Sequence, residues 1–416
     1  MSSPAIGTQA IGAARSRPVI ITALGLGQIL AWGSSYYLLA VLAGPIAADT
    51  GWTLPWVVGG ISLGLLAAAI ASPWVGRAIE QRGGRPVLAA SSVLLAVGLL
   101  GLALAQSIPA YLGAWIVIGI GMGAGLYDPA FGTLGRLYGT SARSAITMLT
   151  LFGGFASTAC WPLSALFVSC LGWRGACLAY AGLHLVVALP LYWFLLPKER
   201  QRTERAGPKA AAPVQGGAAV PIADVRTRRL VLGFLTVGIT LSAMISTVLS
   251  VHLLTVLQGR GIALASAVAF GTLVGPCQVG ARLIEAAIAR YHHPIWTKIA
   301  SAALVAAGLA TLCSGQPIIA VALVFYGAGI GLESIARGTL PLALFGSAGY
   351  ATLMGRLAIP SLIAQAASPS IGAFLIDGIG SEAMLRVLLA TAGVNMLVVL
   401  TLLALLPRAS SPTSVA

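Results

Sequence analysis

Gly121-Met-Gly123-Ala-Gly125-Leu126-Tyr-Asp128-Pro129-Ala-Phe131-Gly132-Thr133-Leu134 is answered, half a chain later, by Gly327-Ala-Gly329-Ile-Gly331-Leu332-Glu333-Ser-Ile-Ala-Arg337-Gly338-Thr339-Leu340. The glycines and the closing Gly-Thr-Leu repeat at a constant offset of 206 residues (121 to 327, 134 to 340). Each copy is a greasy run that carries ionisable groups: Asp128 in the first, Glu333 and Arg337 in the second. Charges inside apolar helices are costly, and a duplicated half that keeps them marks a solute pathway between two repeats.

Working outward, 58% of the 416 residues are hydrophobic and 8% are charged, with a mean hydropathy of +0.94. A water-soluble surface needs roughly 25% charged residues. The chain is therefore expected to be an all-α integral membrane protein, its apolar runs long enough for spanning helices and too long for barrel strands. Twelve are predicted, near 19–43, 55–75, 87–106, 110–132, 144–170, 176–196, 230–257, 262–282, 296–314, 317–341, 353–376 and 384–406. Met1 to Pro18 reads as a short disordered arm and not as a cleaved signal, since the apolar run behind Arg15 and Arg17 is too long.

The predicted organisation is an N-terminal six-helix bundle (1–196), a linker (197–229) and a C-terminal six-helix bundle (230–416), the two bundles pseudo-symmetric. The linker is polar and rich in Pro, Gly and Ala, with Lys198, Arg200, Arg202, Arg205, Arg226, Arg228 and Arg229, a composition that neither inserts nor folds alone. Two further pairs of loci support the repeat: Val75-Gly76 with Glu80 against Val279-Gly280 with Glu285, and Pro162 with Phe167 against Pro369 with Phe374. The net charge of +14 is placed asymmetrically. Arg174, Arg260 and Arg386 fall in outer loops, Arg337 in a helix, and the other basic residues in or near inner loops and tails. That bias predicts both termini in the cytosol of a bacterial-type inner membrane and excludes nucleic acid as a partner. The expected partners are the bilayer, a small solute and protons, with the chain a monomer.

Gly76-Arg-Ala-Ile-Glu80-Gln-Arg82-Gly83-Gly84-Arg85-Pro, after the second helix, resembles the inner-loop motif of the major facilitator superfamily. The resemblance covers nearly the whole chain, through twelve helices, a central basic loop and a two-fold repeat. It implies a secondary transporter that works by rocking two bundles, with Gly76, Glu80, Arg82 and Arg85 as an inner latch. Glu80 stands where that family usually has Asp, and Gly84 where it has a basic residue. The arginine that drug antiporters place four residues before a glycine on the fourth helix is absent: Trp115 precedes Gly119 and Val117 precedes Gly121. Leu126-Tyr-Asp128-Pro129-Ala-Phe131, Trp161-Pro162 and Gly172-Trp173-Arg174-Gly175 are similar to bacterial permeases that export arsenite and related trivalent metalloids.

Asp128, Glu333 and Arg337 are the candidates for proton coupling or gating. Counted along their helices at 1.5 Å per residue, the two acids sit about 27 and 24 Å in, toward the inner side. Glu333 and Arg337 are four apart on one helix and are expected to pair, which leaves Asp128 as a proton carrier, a gate partner of Arg82 or Arg85, or a structural acid at Pro129. The resemblance places the cavity between the first, fourth, seventh and tenth helices, with Gln28, Trp32, Ser35, Tyr36, Thr240, Ser246 and His252 as polar and aromatic lining. Cys160 and Cys277 could meet a thiophilic solute; otherwise the five cysteines are packing residues. No metal, cofactor or enzyme constellation is present in the sequence. The expected function is proton-coupled efflux of a small toxic solute, such as a trivalent metalloid or a drug. The runner-up is uptake of a small carboxylate on Arg337, and a non-transporting membrane sensor is a remote third.

Overall fold

A computed structural model describes residues 16–198, 224–315 and 318–406; the N-terminal arm and most of the linker lie outside the described residues. The described chain is helical throughout. Its elements are α1 (Arg17–Gly33), α2 (Leu39–Thr50), α3 (Leu54–Arg82), α4 (Gly84–Leu104), α5 (Ile108–Gly125), α6 (Tyr127–Tyr138), α7 (Ala142–Gly154), α8 (Ala156–Leu183), α9 (Val225–Gly259), α10 (Leu264–Thr272), α11 (Val274–Ile288), α12 (Pro294–Cys313), α13 (Ile319–Phe345), α14 (Tyr350–Ile379) and α15 (Ser381–Leu405). Nine helical runs among the described residues are long and apolar enough to cross a membrane. One of them, Ile108–Leu195, doubles back near Gly139 and Gly172 and makes three spans. Both glycines have positive φ, 58° and 70°, a conformation that costs a residue with a Cβ. The first span is split into α1 and α2, so the total is twelve.

Local sequence explains the breaks that matter. α5 and α6 are one span interrupted at Leu126, whose backbone is extended. In an unbroken helix the carbonyl of Gly125 would accept from residue 129, but Pro129 has no N–H and its ring would strike that carbonyl. Gln28 Nε2 takes the orphan carbonyl at 2.6 Å. The break leaves Asp128 in the first turn of α6, where the helix dipole favours a negative charge. The second copy has no proline at the matching place, and α13 runs straight through. The seventh span opens on Asp224, whose carboxylate caps α9 by accepting from the Thr227 N–H at 3.1 Å. Backbone N–H groups, Thr227 first, hold that carboxyl below its ordinary pKa, as an N-cap should.

The duplicated glycines are where helix backbones meet. A Cβ on Gly123 would lie 2.9 Å from the Ala68 carbonyl of α3, and one on Gly331 would lie 2.5 Å from the Gln278 carbonyl of α11. Each glycine-rich span is thus pressed on the second span of its own half, the close approach that small residues permit in a bilayer.

The two halves meet mainly on one side. A single apolar core joins Phe131, Ile146 and Leu149 of the first half to Leu235, Leu340 and Met354 of the second. This is the side of Arg77, Arg82, Arg85, Arg226 and Arg228, called the basic side below. Toward the other side the cores separate, one built almost wholly of the first half and one of the second alone. α3 and α14 cross most tightly on the basic side: a Cβ on Gly76 would stand 2.5 Å from the Ala351 carbonyl, and one on Gly355 2.4 Å from the Ser72 carbonyl. Backbone atoms cannot yield as side chains do. Gly355→Val is therefore expected to force the crossing apart, at an overpacking cost of about 1–3 kcal/mol. The measurement is maleimide labelling of a Ser347→Cys reporter on the basic side, which should rise; unchanged labelling would mean that this crossing does not hold the side shut.

Candidate functional site

Five charged groups and a ring cluster occupy the interior where the halves meet. Arg337 of α13 grips Asp128 of α6 with two parallel hydrogen bonds, Nε to Oδ1 at 3.0 Å and Nη2 to Oδ2 at 2.7 Å, and Nη2 also donates to Ser361 Oγ at 3.1 Å. Such bidentate pairs are the strong ones. Lys298 of α12 donates to both oxygens of Glu333, at 2.6 and 2.7 Å, and to Ser242 Oγ at 2.9 Å. Ser301 Oγ adds a bond to Glu333 at 3.1 Å.

This corrects the expected pairing. Glu333 and Arg337 do not neutralise each other, and Asp128 is not the free acid. Four residues turn a helix by about 400°, so the two side chains diverge by about 40°. Glu333 meets Lys298 on α12, while Arg337 meets Asp128 across the halves. A buried charge without good geometry costs several kcal/mol, and these partners supply better geometry than the helix's own surface does.

Arg282, on α11, is a further interior charge and, like Lys298, is not among the candidates named from the sequence. It is 3% exposed, and its donors go to neutral acceptors: Nε to the Gly331 carbonyl (3.3 Å), Nη1 to the Thr150 carbonyl (3.0 Å), Nη2 to Gln278 Oε1 (3.3 Å) and Ser334 Oγ (2.9 Å). Four of its five N–H groups are hydrogen-bonded, but among the described residues its charge pairs with no carboxylate. Arg282 and Lys298 fall at the inner ends of the predicted spans 262–282 and 296–314, among the basic residues placed in or near inner loops; α11 runs on to Ile288, and both side chains are buried. The repeat held the signal for Arg282. Glu285 matches Glu80 at the end of the second span, so residue 282 lies almost one turn inside.

A ring cluster adjoins this guanidinium. The Tyr127 hydroxyl donates to the same Thr150 carbonyl as Arg282, at 3.4 Å. Trp32 lies 5.1 Å from Tyr127 between ring centroids, 5.3 Å from Tyr36 and 5.9 Å from Tyr37. Tyr37 meets Trp161 edge-on at 6.3 Å, and Tyr127 stacks on Phe131 at 5.2 Å. Trp32 Nε1 donates to Gln28 Oε1 at 3.2 Å, so the glutamine that bridges the α5–α6 break also orients the indole. Past Trp161 an open apolar hollow of about 470 Å³ lies between α2 and the start of α8, lined by Val41, Thr158, Trp161 and Pro162 among others.

Of the expected lining, Gln28, Trp32 and Tyr36 belong to this cluster. Ser35 and Thr240 turn their hydroxyls onto their own helices, which satisfies a polar group in a span. Ser246 offers its carbonyl to the Tyr326 hydroxyl at 3.2 Å. His252 hydrogen-bonds the Pro369 carbonyl at 3.0 Å and His184 hydrogen-bonds Ser34 Oγ at 2.7 Å; both tie helices together. Cys160 is buried against Gly33 with its thiol donating to the Ile29 carbonyl at 3.5 Å, and half-buried Cys277 packs on Gly327. Among the described residues no group of three or more His, Cys, Asp or Glu is placed to hold a metal ion.

The inner-loop residues are dispersed. Gly76 lies against α14, Arg82 is exposed and Arg85 lies over the Trp193 ring at 4.6 Å. Arg136 donates to the Glu80 carbonyl. The charge cluster expected of Glu80, Arg82 and Arg85 is thus not assembled among themselves. The matching place in the second half does reach across: Arg143 of α7 approaches Glu285 at 3.7 Å and donates to the His292 carbonyl at 2.6 Å, while Thr297 donates to Glu285 at 2.7 Å.

The family model of the Major Facilitator Superfamily matches residues 24–358, so the chain belongs to that superfamily of multi-pass membrane transporters. Human monocarboxylate transporter 11 is 31% identical over 179 residues, 42% of this chain and 36% of that protein; the match spans about a third of the length of that curated relative. Among solved structures, the proton:xylose symporter XylE bound to 6-bromo-6-deoxy-D-glucose superposes with a TM-score of 0.71 at 13% identity, covering 94% of this chain and 99% of that one. The human organic anion transporter MFSD10 does so with 0.69 at 17%, covering 93% and 100%. These likenesses establish the fold.

Proposed function

We propose that this transporter carries small organic monocarboxylates by alternating access, with Arg282 as the anion site. The observation that carries the reading is a buried guanidinium, held by carbonyls, an amide and a hydroxyl, whose charge no carboxylate among the described residues answers. A carboxylate solute would answer it with two parallel bonds, one from the remaining Nη1 N–H and one from Nη2 in place of the Gln278 or Ser334 contact, the geometry for which arginine is suited. Arg337, the anion site of the runner-up reading from sequence, is paired with Asp128. The partial likeness to a monocarboxylate transporter supports the same substrate class.

Efflux of a trivalent metalloid, the first expectation, has less behind it. Cys160 is spent on helix packing, and no second thiol lies against it. The basic side is read as cytosolic, after the positive-inside bias, and the shared core there as the closed gate of an outward-facing state. Rocking must then break Asp128–Arg337, which spans the halves, and leave Lys298–Glu333, which lies within one. An aspartate stripped of its arginine in a span is a natural proton site, so proton coupling is assigned to Asp128.

The test is uptake of radiolabelled short carboxylates into proteoliposomes of the purified chain, with and without an inward proton gradient. Saturable, gradient-stimulated uptake is expected. No uptake of any carboxylate, with metalloid or drug flux instead, would overturn the reading.

A further inference from the structure

We infer that the solute is an aromatic monocarboxylate, its carboxylate on Arg282 and its ring among Trp32, Tyr36 and Tyr37. This rests on the reading of Arg282 as the anion site and deepens it. Rings in a span often serve packing or the membrane interface, and Trp115 or Tyr111 of this chain, fully buried, are of that kind. Trp32, Tyr36, Tyr37 and Tyr127 are different, for each is only partly covered.

None of the contacts among Trp32, Tyr36 and Tyr37 is a face-to-face stack. Trp32 meets Tyr36 at an interplanar angle of 70° and Tyr36 meets Tyr37 at 89°, edge-to-face arrangements in which the faces are not mutually consumed. One more ring completes such a cluster by offset stacking or another edge contact, which is the preferred packing of aromatic groups. The indole is also oriented in advance by Gln28, so little rotamer entropy is lost on binding. Tyr127 links ring cluster and guanidinium, sharing the Thr150 carbonyl with Arg282. Beside the cluster, where Tyr37 meets Trp161, the hollow beyond Trp161 exposes almost wholly apolar surface, which suits an aryl group better than a short hydrophilic acid.

Two glycines hold this arrangement. A Cβ on Gly153 would fall 2.0 Å from the Tyr127 hydroxyl, and one on Gly154 would fall 2.3 Å from Arg282 Nη1. The end of α7 is therefore bare where the ring of Tyr127 and the guanidinium come together, and the two are seated side by side on the same turn.

The experiment compares phenylacetate with propionate, both radiolabelled, in proteoliposomes of the full chain over seconds, with counts from protein-free vesicles subtracted. Phenylacetate is expected to be taken up with a kcat/KM about tenfold or more above propionate. Trp32→Phe keeps a ring and should keep the preference. Trp32→Leu keeps apolar bulk without a ring; it should lower phenylacetate uptake about tenfold more than propionate uptake and so lose the preference. Equal uptake of the two acids by the unaltered protein, or loss of both in proportion in Trp32→Leu, would overturn the aromatic-acid inference and leave Arg282's role standing. Absence of saturable uptake for either acid, with Arg282 intact and the protein monodisperse, would overturn both readings.

Discussion

Arg337→Ala will lower the stability of the detergent-solubilised protein by about 3–5 kcal/mol, and the loss will be largely recovered in the double variant Asp128→Asn, Arg337→Gln. The reason is the asymmetry between making a buried pair and breaking one. Forming it returns little beyond the desolvation cost, whereas removing one partner leaves a charge with no answer in a medium that cannot solvate it. The side chains of Arg337 and Asp128 are 18% and 15% exposed, so water offers limited relief. Ser361 remains to the arginine when Asp128 alone is removed, whereas among the described residues no side-chain donor is left to the aspartate when Arg337 goes, only the dipole of α6. Arg337→Ala is accordingly expected to be the worse of the two single variants. Thermal melts of the three variants against the unaltered chain give the comparison. A double variant as unstable as Arg337→Ala would mean that the pair acts through packing and not through charge. Because the pair joins α6 to α13, the single variants should also raise labelling of the Ser347→Cys reporter on the basic side.

Arg282→Gln will reduce carboxylate uptake by about 100-fold or more, since truncating one partner of a buried, hydrogen-bonded charge pair costs about 2–5 kcal/mol. Glutamine retains a donor for the Thr150 or Gly331 carbonyl, so the loss will show in transport before it shows in folding. Arg282→Lys is expected to restore only part of the activity. It returns the charge but not the planar fork that holds two carbonyls and a carboxylate at once. The KM should rise most in Arg282→Lys, while Arg282→Gln should fail at every concentration tested. Uptake by Arg282→Gln within threefold of the unaltered chain would remove Arg282 as the anion site.

The elements of the fold are legible in the sequence because a span is a local property. Length, apolarity and the glycines at its ends decide whether a segment crosses a bilayer, and the twelve runs read from the chain coincide with the spans to within a few residues at most ends. Gln28 and Trp32 were reachable for the same reason: polar and aromatic groups stand out in an apolar helix. Arg282 and Lys298 did not stand out. Each lies near the end of a span, where a basic residue is ordinary, and only the length of α11 and the packing of α12 against α13 carry them into the interior.

By itself the sequence determined a twelve-span, duplicated carrier and the identity of the acids within it. Tertiary structure alone decided which charge answers which. Arg337 has Glu333 four residues away and Asp128 209 residues away, and local spacing favours the near one. The far one wins because α6 packs across the halves against α13 while Lys298 arrives at Glu333 from α12. Hydrophobicity is summed along a helix and can be read from it. Neutralising a buried charge depends on which helix stands opposite, and that is known only once the helices have packed.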